Sequence, residues 1–269
     1  MQDIKVGSRE YKIMLKSGRF AGDEKNLLGV ARQFWLEAAR VFGPVVLFTS
    51  GDLGHINDKR RIRFYDTRAQ QLNRNAYIFR ERASVNDSMR EVTLKFRHPD
   101  RYVACARDMS GNGKGKWKTK FEEDIKPPFQ QLYSYSTTQP IPADYKIATL
   151  QDVMKLYPGL KRSLTGFAID EPLALVEGFS AHELVIGGAK LQLGKKYNVW
   201  AECVLVIWYD DDKKGDPVVA EFSYKYGDAG EQYGGGTVRR AYEVFQLLQT
   251  QFDGWVDRDS KTKTAFVYG

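Results

Sequence analysis

Five segments of this 269-residue chain alternate, and in each the two alternate rows differ in chemistry. Residues 10–16 set Glu10, Lys12, Met14 and Lys16 against Tyr11, Ile13 and Leu15. Residues 76–82 set Ala76, Ile78, Arg80 and Arg82 against Tyr77 and Phe79. Residues 92–97 set Thr93, Lys95 and Arg97 against Val92, Leu94 and Phe96. Residues 118–125 set Lys118, Lys120, Glu122 and Asp124 against Thr119, Phe121, Glu123 and Ile125. Residues 218–225 set Val219, Glu221, Ser223 and Lys225 against Val218, Ala220, Phe222 and Tyr224. A period of two is the spacing of a strand with unlike faces. The charged rows mix acids with bases, and a face of that kind can hold a metal ion and a polyanion together.

Helical spacing is confined to three places. Leu27, Leu28, Ala31, Phe34, Trp35, Ala38, Ala39 and Phe42 predict a helix over 24–42, stopped by Gly43-Pro44. Thr149, with Asp152 placed as its capping partner, predicts a helix over 149–157, ended by Pro158-Gly159. Val238, Ala241, Tyr242, Phe245, Leu248 and Phe252 predict a last helix over 237–253. Further strands are predicted at 45–49, 61–65, 101–107, 161–168, 173–178, 182–193 and 198–209. Pro127, Pro128, Pro140 and Pro142 mark 127–142 as an irregular crossover. Strands on both sides of that stretch carry similar charged rows, so residues 1–269 are read as one domain.

The formal charge of +7 predicts attraction to anions. Cys105 and Cys203 form no metal-binding spacing, which argues against zinc and against a disulfide framework. Met1–Lys5 carries no apolar run, and no stretch is apolar enough for a spanning helix, so the reading is soluble and cytoplasmic, with no membrane partner. Gly111–Trp117 resembles a phosphate loop in composition, but Trp117 stands where that loop needs Ser or Thr. Gly234-Gly235-Gly236 reads as a helix start, and Asp210-Asp211-Asp212 as a hairpin turn. His55, His98 and His182 are too scattered for a triad, and no serine-hydrolase elbow is present.

Two arrangements satisfy the charged rows. One is an open sheet with a wet outer face. The other is a closed barrel whose charged rows face a lumen and whose apolar rows face outward beneath the three helices. Five such rows favour the second, because charges facing inward must pair or bind something charged.

The ordered set of motifs resembles the CYTH domain, the triphosphate tunnel metalloenzyme family. Glu10-Tyr11-Lys12 is similar to the end of that family's first acidic motif. Arg63-Phe64-Tyr65-Asp66-Thr67, Leu72 and Tyr77–Arg82 resemble its Arg-x-Arg hairpin. Thr93-Leu94-Lys95, Lys120-Phe121-Glu122 and Val219–Ser223 resemble three later strands. The resemblance runs from about Arg9 to Tyr226. It implies an α+β fold: a closed eight-stranded antiparallel β-barrel, or tunnel, with a polar charged lumen and helices packed outside. Two positions depart from the pattern, since Ser8 and Ser223 stand where the family has carboxylates.

By this resemblance Arg80, Arg82, Lys95, Lys120 and Arg162 hold phosphate oxygens, with Lys12, Arg80, Arg82 and Lys95 acting in catalysis. Glu10, Glu122, Asp124 and Glu221 hold Mg2+ or Mn2+. The implied activity is metal-dependent hydrolysis of inorganic triphosphate, a nucleoside or thiamine triphosphate, or an RNA 5′-triphosphate end, the one form in which nucleic acid is expected as a partner. The alternatives are a non-catalytic domain binding polyphosphate or nucleotide, an adenylate cyclase of class IV type, and a basic surface for nucleic acid.

Overall fold

The computed structural model describes residues 5–84, 87–112, 116–210, 216–227 and 233–269. Parts of two expected turns, 113–115 of the Gly/Lys stretch and 211–215 of the acidic turn, lie outside the described residues. The described strands are β1 Ser8–Leu15, β2 Phe48–Ser50, β3 His55–Thr67, β4 Tyr77–Ser84 and β5 Met89–His98, then β6 Lys118–Lys126, β7 Gln130–Pro142, β8 Leu173–Gly194, β9 Val199–Asp210 and β10 Pro217–Tyr226. The described α-helices are α1 Glu24–Phe42, α2 Gln71–Arg74, α3 Arg101–Cys105, α4 Leu150–Leu156, α5 Leu160–Ser163, α6 Gly235–Gln251 and α7 Lys263–Tyr268.

The sheet runs β2-β8-β3-β4-β5-β7-β6-β1-β10-β9, and β9 pairs again with β8. Nine strands therefore close a barrel, and β2 lies outside it on β8. Helices cover the outside, so the α+β barrel predicted from the sequence is the observed class. Its details differ from the expectation in two ways. The barrel has nine strands and not eight, and it is not wholly antiparallel, because β1 runs parallel to β6.

One added strand is β7, which occupies the stretch read as a crossover. Prolines suit a strand only where no ladder donor is needed. β7 pairs with β6 only as far as Thr138, while its pairing with β5 runs on to Pro142. Pro140 and Pro142 thus sit where β7 has a single neighbour. The stretch read as a strand over 101–107 instead holds helix α3 at Arg101–Cys105, because the Asp100 side chain accepts from Val103 N at 2.9 Å and caps a helix. Residues 160–163 turn helically after Pro158-Gly159. The two strands predicted at 173–178 and 182–193 are one strand, β8, interrupted at Glu177 and Gly178, both with positive φ.

The apolar rows face outward and are covered by helix. Tyr11, Ile13 and Leu15 of β1 join Phe222 and Tyr224 of β10 beneath α1 and α6. Asp23 caps α1 by accepting from Asn26 N at 2.8 Å, and Leu27, Ala31, Phe34, Trp35, Ala38 and Phe42 form its buried stripe. The Tyr224 hydroxyl donates to the Ala241 carbonyl of α6 at 2.6 Å. Each large side chain so buried contributes roughly 1.5–3 kcal/mol. Tyr77, Phe79, Val92, Leu94, Phe96 and Phe121 form a second layer beneath α4 and α5. The capping box of Thr149 and Asp152 starts α4 as the sequence predicts. With the apolar rows turned out, the pleat turns Glu10, Lys12, Arg80, Arg82, Lys95, Glu122, Asp124 and Glu221 inward. No helix among the described residues is long and apolar enough to cross a membrane.

Candidate functional site: the barrel lumen

The inward rows meet around a cavity of about 710 Å³. Glu10, Lys12, Arg80, Arg82, Lys95, Lys120, Glu122, Asp124 and Glu221 all line it. Its wall holds eleven Lys and Arg against six Asp and Glu, an excess of positive charge that favours an anion. The wall is mixed, however, and not uniformly charged. Met14, Phe64, Ile78, Val206 and Trp208 also line it, and Val267 of α7 belongs to the same apolar cluster.

One ionic group centres on Asp124. Lys12 Nζ lies 2.8 Å from its Oδ1, and Lys95 Nζ and Ser134 Oγ lie 3.2 and 2.5 Å from its Oδ2. Arg97 Nε stands 3.9 Å away. Lys12 also reaches Glu10 at 3.0 Å. Burial raises the Asp124 carboxyl, but Lys12, Lys95 and Arg97 outweigh it and hold the group well below the carboxylate range. Burial opposes the ionised form of Glu10 too, and Lys12 with Lys225 still brings it to about 2. Lys95 is pushed down to about 8 by burial, against the attraction of Asp124 and with help from Arg97 and Lys12.

A second group centres on Glu183 of β8, whose side chain is fully buried. It accepts from Arg60 Nε at 2.6 Å and from Trp208 Nε1 at 2.9 Å, and Arg82 Nε lies 3.0 Å from it. Burial disfavours its charge, and Arg82 and Arg60 more than restore it, so the carboxyl lies below its ordinary range.

Arg80, on β4, senses both groups. Burial pushes its guanidinium well below the ordinary value, Arg82 adds repulsion, and Glu183 only partly opposes them. Its Nε is buried without a hydrogen-bond partner, and no described carboxylate pairs with it.

Glu122 accepts from Ser8 Oγ at 3.0 Å and has Lys225 Nζ at 3.7 Å. Buried Glu221 is paired with Lys263 Nζ at 2.8 Å. Lys263 belongs to α7, which follows a bridge of Val256 to Leu15 and returns the chain to the lumen. Arg97 donates to Thr264 Oγ1 of the same helix at 2.8 Å.

One expected residue is misplaced. Arg162 lies on α5, outside the barrel, highly exposed and paired with Asp108. It does not line the lumen, because 161–168 contributes no strand to the barrel. Several residues of the lumen wall and of the ion pairs behind it are missing from the sequence-based set. Arg97 and Lys225 stand in the alternating rows and are legible there. Glu183 shows only as a lone acid between Ala181 and Val185, and Arg60 is hidden because β3 begins at His55 rather than Arg61. Lys263 carries no sequence signal.

The residues present do not fit Mg2+ or Mn2+ as the four-carboxylate set implied. Hard divalent ions want several oxygens at once. Among the described residues no three His, Cys, Asp or Glu side chains converge as an ion requires. Glu10, Glu122, Asp124 and Glu221 each have a lysine beside them instead.

The fold is therefore that of a closed β-barrel with helices outside and a mixed lumen rich in cations. No protein-family model matches the sequence, and no curated protein matches it. Among solved structures, one similar chain is a Hippeastrum protein, provisionally assigned as an adenylyl cyclase and described as having a dominant triphosphatase activity. It is 12% identical, with a TM-score of 0.45, over 97% of this chain and 95% of that one. A provisionally assigned adenylate cyclase of Bacillus halodurans is 10% identical, with a TM-score of 0.43, over 98% and 100%. Another, from Vibrio parahaemolyticus, is 9% identical, with a TM-score of 0.36, over 98% and 99%. Likenesses of this size carry no argument about the site.

Proposed function

We propose that the lumen binds a linear phosphate polyanion of the triphosphate class. Arg80 carries the reading. Arg80 is half-buried with its Nε buried and unpartnered, which is costly without an anion, and an anion supplied by the ligand relieves that cost. Its planar fork suits two phosphate oxygens at once. Arg82, Lys95 and Lys12 extend the positive wall on either side, and Lys120, exposed at the rim, adds a further cation. An inorganic triphosphate, a nucleoside or thiamine triphosphate, or an RNA 5′-triphosphate presents the same chain of oxygens. Binding of tripolyphosphate, followed by titration calorimetry on the whole protein and on Arg80→Ala, tests the reading. Equal affinity in the two proteins removes it.

Hydrolysis is the second reading, and the observation favouring it is that Glu10, Glu122, Asp124 and Glu221 line the same cavity as the cations. Phosphate release that requires Mg2+ or Mn2+ and is lost in Glu10→Ala and Glu122→Ala would assign a metal-dependent triphosphatase. Pyrophosphate released from ATP would assign a cyclase. Binding without turnover under either metal leaves a polyanion-binding domain.

A further inference from the structure

We infer that this lumen takes its polyanion without a divalent cation, because Lys12, Lys225 and Lys263 supply the positive charge beside the carboxylates where an ion would sit. The inference rests on the polyanion reading. Strand register carries it. On the lumen face Glu10 stands across from Lys225 of β10, Lys12 across from Ser223, and Met14 across from Glu221. On the other side of β1, Ser8 stands across from Glu122 and Glu10 across from Asp124. Directly opposed side chains are close neighbours in a sheet. Glu10 and Asp124 are thus the one pair of acids opposed across β1. Lys12 Nζ already bridges them, at 3.0 and 2.8 Å.

A divalent ion between Glu10 and Asp124 would have to displace the half-buried Lys12 ammonium and then remain beside it. At Glu10 the opposing residue on β10 is a cation, where an ion would need a further oxygen. Glu221 lies further along the same row of β10, beyond Ser223, and it is already met by Lys263 from α7 at 2.8 Å. Glu122 is shared between the Ser8 hydroxyl and Lys225. The carboxylates thus act as counter-ions that hold ammonium groups in place. Those ammonium groups, with Arg80, face the cavity. A free polyphosphate matches the positive excess of the wall better than one whose charge magnesium has already reduced.

The test compares tripolyphosphate binding to the full chain in EDTA and in excess Mg2+ at constant ionic strength. The expected result is affinity in EDTA equal to, or greater than, that in Mg2+. Electron paramagnetic resonance of Mn2+ added to the protein alone gives an independent reading. The wild type is expected to leave the ion free, while Lys225→Glu, which places a third acid beside Glu10 and Asp124, is expected to capture it. A melting curve shows whether that variant is folded, and the wild-type measurements do not depend on it. Binding that improves by about tenfold or more with Mg2+, or Mn2+ held by the wild type and released by Glu10→Gln, overturns the inference and leaves the polyanion reading standing. No binding in either buffer removes the polyanion reading, and the inference with it.

Discussion

Replacing Glu183 by Gln tests whether the lumen is held open by internal ion pairs. The glutamine keeps the shape and one acceptor oxygen but removes the charge. Arg60 retains Asp58, 2.6 Å from its Nη1, whereas Arg82 keeps only the weaker attraction of Glu91, which stands opposite it on β5. Breaking a buried pair by removing one partner costs roughly 3–5 kcal/mol. Arg82 keeps some exposure, which places the expectation at about 3 kcal/mol. For a chain of this size that is a fall of about 5 °C in melting temperature. The pH dependence gives a second signature. The folded-state carboxyl of Glu183 lies below its ordinary value, so its stabilisation is fully present above the unfolded value of 4.5 and fades as pH falls through the folded one. Urea unfolding at pH 7 and again near pH 4 and below should therefore show a wide gap between the two proteins that narrows in acid. A gap below about 1 kcal/mol at pH 7, the size of an exposed pair, would refute the reasoning.

Three further outcomes follow from the same geometry. Arg80→Ala should weaken tripolyphosphate binding by about tenfold to a hundredfold, the worth of a charge-assisted hydrogen bond, without lowering the melting temperature, because the native guanidinium has no internal anion to lose. Lys95, brought to about 8 by burial, should take up a proton when an anion binds near pH 8. Calorimetry in buffers of different ionisation heat reads that uptake, and it should vanish in Lys95→Met. Phe34, with its ring 5.0 Å from Phe222 and 5.2 Å from Trp255, anchors α1 to the barrel. Phe34→Ala should cost about 3–5 kcal/mol in urea unfolding while leaving tripolyphosphate affinity unchanged at temperatures where the variant is folded.

The alternation of Tyr11, Ile13 and Leu15 with Glu10, Lys12 and Met14, repeated in four other segments, determined by itself that the chain forms strands with one apolar and one charged face. The helical stripe from Leu27 to Phe42 supplies a cover for the apolar face, so most of the inward set is legible in the residue pattern alone. Side-chain direction in a strand is fixed by a period of two, which is a local property. Strand number and pairing are not local. The insertion of β7 between β5 and β6, despite its prolines, and the parallel run of β1 beside β6 depend on which edges remain open once the rest has paired. Charge pairing is less local still. Glu183 finds Arg60 and Arg82 from strands more than a hundred residues earlier, and Lys263 comes back from beyond the last long helix to neutralise Glu221. Residue type announced that carboxylates would face the lumen. Only the closed barrel, by bringing lysines from other elements to Glu122, Asp124 and Glu221, decided which cations those carboxylates meet.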